Sequence, residues 1–237
     1  MVKILDCTTR DGGHETKWNF EDVFVKTLIE FLNKSNVSYY EIGYRNHVDT
    51  EGKGPFYTCT PEFLKPFYEA KGNLQLGVMT DYKRYNSNDF PNKSHDYIDF
   101  VRIACHPDKI QETLKVAEDL HKKEYKIFIQ LMEIQNVGAD GYIELFQWQN
   151  KNILESLYFA DSYSALKPED IEKYYNKLKT IGYEKLSFHA HNELGLALEN
   201  SLRAAELGCY TIDTTFNGIG RGGGNLKLQE LLENFPC

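Results

Sequence analysis

Short apolar runs alternate with longer amphipathic stretches along the whole of this 237-residue chain. Eight of each follow in order, the pattern of repeated βα units and a parallel sheet. The runs predict strands over Val2–Thr8, Tyr39–Tyr44, Leu74–Thr80, Tyr97–Ala104, Lys126–Ile134, Leu154–Asp161, Lys185–His191 and Thr211–Phe216. Helical periodicity is clearest over Glu21–Asn33, Lys109–Lys123, Pro168–Ile181 and Leu196–Leu207. Pro168 and Asp170 form a helix start, and Gly182 and Gly208 fall where helices stop. The stretch Asp81–Ser94 is polar, carries Pro91 and has no helical period, which predicts a degenerate third helix or a long loop. Eight units in a chain of this length match the small end of the (β/α)8 barrels. No linker, repeat or low-complexity tract divides it. The expected fold is therefore α/β, a single TIM barrel over residues 1–237. An open doubly wound sheet is the alternative, but no GxGxxG follows the first strand.

Composition narrows the partners. No run reaches the roughly 18 apolar residues of a membrane helix, and Asp6 comes too early for a signal peptide, so a cytoplasmic protein is expected. Five cysteines without CxxC pairing fit a reducing compartment rather than a disulfide framework. With 35 acidic against 27 basic side chains the net charge is −8, which disfavours nucleic acid. A small anionic substrate is still compatible, because a cation and an arginine reverse the sign locally. The 16 tyrosines leave a homo-oligomer built on an aromatic patch open.

The chemistry concentrates at the predicted C-terminal strand ends, where barrels build active sites. His189 and His191 are two apart on a strand, so both imidazoles leave one face as a ready pair of metal ligands, to be completed by a carboxylate from elsewhere. The cluster Arg10-Asp11-Gly12-Gly13-His14 after the first strand is a source of one. Glu41, in an apolar strand, needs a buried partner, and Arg10 is the evident one. Strands 7, 8, 1 and 2 adjoin only if the barrel closes. The run Gly218–Asn225 reads either as a flexible loop or as a cradle that lets backbone N–H groups approach an anion. Asp161-Ser162 ends the sixth strand. The loops Asn46–Thr60 and Asp81–Ser94, with Lys53, Arg84, Tyr57 and Tyr85, are expected to border the substrate pocket.

Four motifs in strand context, LDCTTRDG at 5–12, YEIG at 40–43, HAHNELG at 189–195 and GIGRGGGN at 218–225, together resemble the DRE-TIM metallolyases, the group of the HMG-CoA lyases. Within it the chain is most similar to the catalytic barrel of the 4-hydroxy-2-oxovalerate aldolases. The resemblance implies that Arg10, Asp11 and Glu41 form the signature Arg-Asp-Glu set, that Asp11, His189 and His191 hold Mn²⁺ or Mg²⁺, and that Asn225 is a further ligand. It places His14 where those aldolases carry an acid/base histidine. The partner-docking C-terminal domain and the tyrosine it supplies are not expected here, so Tyr44 and Tyr163 are the candidate donors, with Tyr44 and Ser162 as candidate substrate contacts. The implied activity is metal-dependent cleavage or formation of a 4-hydroxy-2-oxoacid through a pyruvate-type enolate. Arg10 would face the enolate oxygen, Glu41 would orient Arg10, and His14 would take the 4-hydroxyl proton. A Claisen-type acyl-CoA synthase, an Fe²⁺ oxygenase using the same two histidines and carboxylate, and a non-catalytic barrel are the competing readings.

Overall fold

The computed structural model describes residues 2–235. Its centre is a closed barrel of eight parallel strands in sequence order: β1 (Lys3–Asp6), β2 (Tyr39–Tyr44), β3 (Gln75–Asp81), β4 (Phe100–Cys105), β5 (Lys126–Leu131), β6 (Leu154–Asp161), β7 (Leu186–Ala190) and β8 (Thr211–Thr214). Closure is made by β1 on β8, with Leu5 opposite Asp213 and Asp6 opposite Thr214. The ends of the chain thereby meet at one side of the ring.

Helices cover the outside, but not after every strand. The one-turn helices α1 (Thr8–Asp11) and α2 (Gly13–Thr16) follow β1, then α3 (Asp22–Lys34). Next come α4 (Pro61–Ala70), α5 (Ile110–Lys122), the short α6 (Ile134–Val137) and α7 (Ile143–Gln147), then α8 (Pro168–Thr180), α9 (Ala197–Glu206) and α10 (Leu228–Asn234). The amphipathic periods of the four clearest predicted helices appear as α3, α5, α8 and α9. At the start of α8 the Asp170 carboxylate accepts from the Lys167 N–H at 3.1 Å, and Gly182 and Gly208 end their helices at φ of +94° and +91°.

Two predicted units differ, and in a third the structure decides between the stated alternatives. The first strand stops at Asp6, because Asp6 Oδ1 accepts the Thr8 N–H and the Asp11 N–H turns back to Cys7 O, both at 2.9 Å. Arg10 and Asp11, expected just after the strand, lie on a helical turn. The stretch Asp81–Ser94 takes the long-loop form of its two expected ones, with 3₁₀ turns at Ser87–Asp89 and Lys93–His95. That segment is fastened instead by the buried pair Arg45–Asp96 at 2.5 Å and by Tyr125 donating to Pro91 O at 2.6 Å. The fifth helix is split into α6 and α7 around Gly138, whose φ of +64° interrupts it.

Strand alternation sorts the core into two layers. On β4, Val101 and Ile103 face outward to the helices, in the large outer core with Ala117 and Leu120 of α5. Phe100 belongs to an inner cluster with Leu5, Tyr39, Phe128 and Tyr158, which plugs the lower barrel. Two residues further along the same strands, above that aromatic floor, come Glu41 and Arg102. A β-bulge in β2 between Glu41 and Gly43 breaks the register beside this layer. Gly43 is required there, since a Cβ would stand 2.1 Å from Phe56 O.

Candidate active site and metal centre

The C-terminal rim brings Asp11, His189 and His191 together, with one donor atom of each within 4.8 Å of the others. All three are buried. Behind them runs a chain of alternating charges. Arg10 Nη1 donates to Asp11 Oδ1 at 2.6 Å and its Nε to Glu41 Oε1 at 2.5 Å. Glu41 also receives two bonds from Arg102, at 2.6 and 2.5 Å. The remaining arm of Arg102 reaches Asp213 Oδ2 at 2.5 Å, and the same oxygen accepts from His189 Nδ1 at 2.9 Å. Alternation answers the cost of burial, because each desolvated charge has an opposite one in hydrogen-bond contact. Arg102 is further stacked over the Tyr158 ring at 4.7 Å.

Arg102 and Asp213 escaped the sequence reading, although both leave a signal. Each interrupts an apolar strand, as Val101-Arg102-Ile103 and Ile212-Asp213-Thr214. Such a charge faces the barrel interior and needs a partner. Without the strand order, nothing pairs the two.

The network sets protonation states. Burial alone would raise the Asp213 carboxyl, but Arg102 and His189 outweigh it and hold it below its ordinary range. An ionised carboxylate only accepts, so His189 Nδ1 is the donor in this bond and the ring's second nitrogen is Nε2. That Nε2 is buried with no hydrogen-bond partner. Burial likewise opposes ionisation of Asp11, and Arg10, the two imidazoles and Asn225 together override it. His191 is pushed down to about 3, first by burial and then by His189, which keeps it neutral. Its Nε2 is 3.4 Å from Arg221 Nε. Asn225 Nδ2 donates to Asp11 Oδ2 at 2.5 Å and to Ile219 O at 3.0 Å, leaving its buried Oδ1 unpaired.

These donors fit a divalent ion. Two imidazoles, an ionised carboxylate and an amide oxygen suit Mn²⁺, Co²⁺ or Zn²⁺, and Mg²⁺ through the oxygens. A His whose second nitrogen is held by a carboxylate is the usual arrangement of a ligating imidazole. A second grouping, Cys7 with His189 and Asp213, also has close donor atoms. It is poorer, because burial raises the Cys7 thiol well above its ordinary value and Asp213 already serves Arg102.

The glycine run does a packing job. A Cβ on Gly220 would stand 2.0 Å from Asn225 Nδ2 and 2.5 Å from Asp11 Oδ2, so only glycine lets this loop close on the cluster. The loop is tied to β7 by the Asn192 N–H donating to Gly224 O at 2.9 Å. Gly13 serves similarly under Trp18, whose indole N–H donates to Arg10 O at 2.9 Å.

Beside the cluster opens a cavity of about 320 Å³ lined by Arg10, His14, Tyr44, Lys53, Arg84 and Arg221 among others. His14 packs edge-on against Trp18 at 4.8 Å. Loss of water around its inner side, with Arg10, Arg221 and Lys53 nearby, pushes it down to about 4 against the pull of Asp11. Tyr44 also faces the cavity, and burial raises its phenol, so it stays protonated. Ser162 does not line it; its hydroxyl accepts from the Glu133 N–H at 3.1 Å, bracing the loop after β5. Tyr163 is 54% exposed and outside the lining, so of the two candidate tyrosine donors only Tyr44 is at the cavity. Of the loop residues expected at the pocket, Lys53, Arg84 and Tyr57 line it, whereas Tyr85 turns away to hydrogen-bond Asp119.

A closed βα barrel with its polar cluster at the C-terminal rim is the arrangement of barrel enzymes of many chemistries, and the comparisons with known proteins narrow the class. The family model for HMGL-like proteins matches residues 107–235, and the chain belongs to the HMGL-like family, within the DRE-TIM metallolyases. It is 25% identical to an oxaloacetate decarboxylase of Mycobacterium tuberculosis, over 97% of this chain and 68% of that protein. It is also 25% identical to a 4-hydroxy-2-oxovalerate aldolase of Carboxydothermus hydrogenoformans, over 98% and 69%. The N-terminal domain of a candidate aldolase from Bacteroides vulgatus superposes with a TM-score of 0.87 at 28% identity, covering 98% of this chain and 79% of that one. The HMG-CoA lyase of Bacillus subtilis shares the fold, with a TM-score of 0.74 at 16% identity over 98% and 85%. His189, His191 and Asn225 fall within the matched family segment, while Arg10, Asp11 and Glu41 precede it and reach the cluster through barrel closure. No helix among the described residues is long and apolar enough to cross a membrane.

Proposed function

We propose that this enzyme is a divalent-metal-dependent carbon–carbon lyase acting on a 4-hydroxy-2-oxoacid. One observation carries the reading: a buried, unpartnered His189 Nε2, fixed from behind by Asp213, converges with Asp11 and His191 beside Arg10. Asp11, His189 and His191, with Asn225 in reach, would hold a divalent ion, which would supply Lewis-acid polarisation of the oxoacid.

The chain's own residues do the rest. Arg10, locked between Glu41 and Asp11, keeps one buried nitrogen, Nη2, without a partner. It is a preorganised donor for the oxygen on which negative charge develops. His14, neutral at physiological pH, takes the 4-hydroxyl proton as the C3–C4 bond breaks, leaving an aldehyde and the enolate of pyruvate. The C3 carbon then takes a proton back, for which the Tyr44 phenol is the neutral donor lining the cavity. Condensation runs the same steps in reverse.

The relative named oxaloacetate decarboxylase supports a second reading. Loss of CO₂ from a 2-oxoacid leaves the same enolate but has no hydroxyl proton to remove. His14→Ala separates the two.

The test is pyruvate release from a panel of 4-hydroxy-2-oxoacids with Mn²⁺, with Mg²⁺ and with EDTA. Metal-dependent release, lost in His14→Ala with metal binding intact and lost together with metal binding in His189→Ala, is expected. Release from oxaloacetate that survives His14→Ala, with no aldol cleavage by the parent, would select the decarboxylase. No release from any oxoacid by metal-loaded protein would refute both.

A further inference from the structure

The cavity beside the cluster is cationic, in a chain whose net charge is −8. Its lining carries Arg10, Lys53, Arg84 and Arg221 against one carboxylate, Asp81. Arg10 is neutralised from behind by Glu41 and Asp11. Arg84 shares Asp81 through Nη1, has Asp49 at 3.7 Å, and its buried Nε makes no hydrogen bond. Lys53 has no carboxylate within 4.0 Å among the described residues; its ammonium lies over the Trp18 ring at 4.8 Å and the Tyr57 ring at 5.6 Å.

Both cations are held in place by backbone contacts. Beside Lys53, the Gly54 N–H donates to Lys17 O at 2.7 Å, and a Cβ on Gly54 would strike Trp18 O at 2.2 Å. The Arg84 N–H donates to Asp81 Oδ1 at 2.8 Å, and Arg84 O accepts the His47 N–H at 2.9 Å, which joins the two loops. A 2-oxoacid head group engages Arg10 and the metal ligands. It carries one negative charge, which leaves Lys53 and Arg84 facing the far part of the same molecule.

We propose that the substrate bears a second anionic group, a carboxylate or a phosphate, on the half distal to the 2-oxo group, and that Lys53 and Arg84 receive it. The proposal rests on the oxoacid reading above and adds the charge of the fragment beyond the breaking bond. Charge-assisted hydrogen bonds of this kind strengthen binding and favour the charged ligand over its neutral analogue.

The experiment uses ligands without a 4-hydroxyl, so that no aldol cleavage is required. Calorimetry on Mn²⁺-loaded protein compares 2-oxoglutarate with 2-oxopentanoate, which has the same carbon chain and no second charge. A third ligand, 2-oxo-4-phosphonobutyrate, puts a phosphonate at the distal end. An anionic tail is expected to tighten binding at least about tenfold, the scale of one charge-assisted hydrogen bond. Whichever of the two anions binds tighter names the group. Lys53→Ala, an exposed position with no role in the core, and Arg84→Gln are each expected to close much of that gap, and added salt to narrow it. Equal affinity for all three ligands, or a gap untouched in both variants, would overturn the proposal. Because binding is read without turnover, an anion preference with no pyruvate release in the preceding assay would refute the aldolase reading alone.

Discussion

Asp213→Asn isolates the support of the metal centre from its ligands. Asp213 is fully buried and touches no substrate-facing surface; one oxygen accepts from both Arg102 at 2.5 Å and His189 at 2.9 Å. Asparagine keeps the volume but removes the charge. It also lets the amide present NH₂ where an acceptor is required, freeing His189 to exchange its Nδ1 proton for one on Nε2, the nitrogen offered to the metal. Loss of such an outer partner lowers metal affinity by about 10- to 100-fold, or about 1.4–2.7 kcal/mol. Weakening one charged hydrogen bond to Arg102 should cost the metal-free fold about 1.5–3 kcal/mol, while Glu41 continues to hold the guanidinium. Mn²⁺ titration by calorimetry gives the first quantity and urea unfolding of the metal-free protein the second. Wild-type Mn²⁺ affinity in a destabilised Asp213→Asn protein would refute the orienting role and leave Asp213 as a structural counter-ion only.

Further outcomes follow from the same geometry. Arg102→Met strands Glu41 and Asp213 as buried carboxylates without their shared cation, and urea unfolding should show a loss of about 3–5 kcal/mol; a loss under 1 kcal/mol would contradict the pairing. Gly220→Ala drives a methyl into Asn225 and Asp11, with strain of about 1–3 kcal/mol, and should weaken Mn²⁺ binding while the far-UV spectrum is unchanged. His14 has a folded pKa near 4, below its ordinary 6.5, so the unfolded chain binds more protons between those values. Its contribution to stability is therefore full above about pH 6.5 and is lost as pH falls through 4. Urea midpoints measured across that window should fall less steeply in His14→Ala than in the parent, and identical slopes would show that His14 is not shifted.

The barrel was legible because βα alternation is local: a period of two marks strands and a period of 3.6 marks helices, whatever they pack against. Where local pattern was weak, the expectation was open or coarser than the outcome. Asp81–Ser94 has no apolar face and makes turns, and Gly138 cuts the fifth helix in two. His189 and His191 were readable as a pair because strand geometry alone puts them on one face.

Their partners were another matter. The carboxylate that joins them is on a turn after β1, nearly the length of the chain away, and only the β1–β8 closure sets it within 4.8 Å. Arg102 and Asp213 appear in sequence merely as charges inside apolar strands. Their meaning lies in a layer of interior side chains contributed by β2, β4, β7 and β8, a property of the closed ring. Ser162 just after β6 and Tyr44 at the end of β2 look alike as candidates, yet one braces a loop and the other faces the cavity. The sequence by itself determined the elements, their order and the pair of imidazoles, since these depend on neighbours along the chain. Tertiary structure decided which charges neutralise one another and which are left to meet a ligand, because electrostatic pairing depends on distance through space.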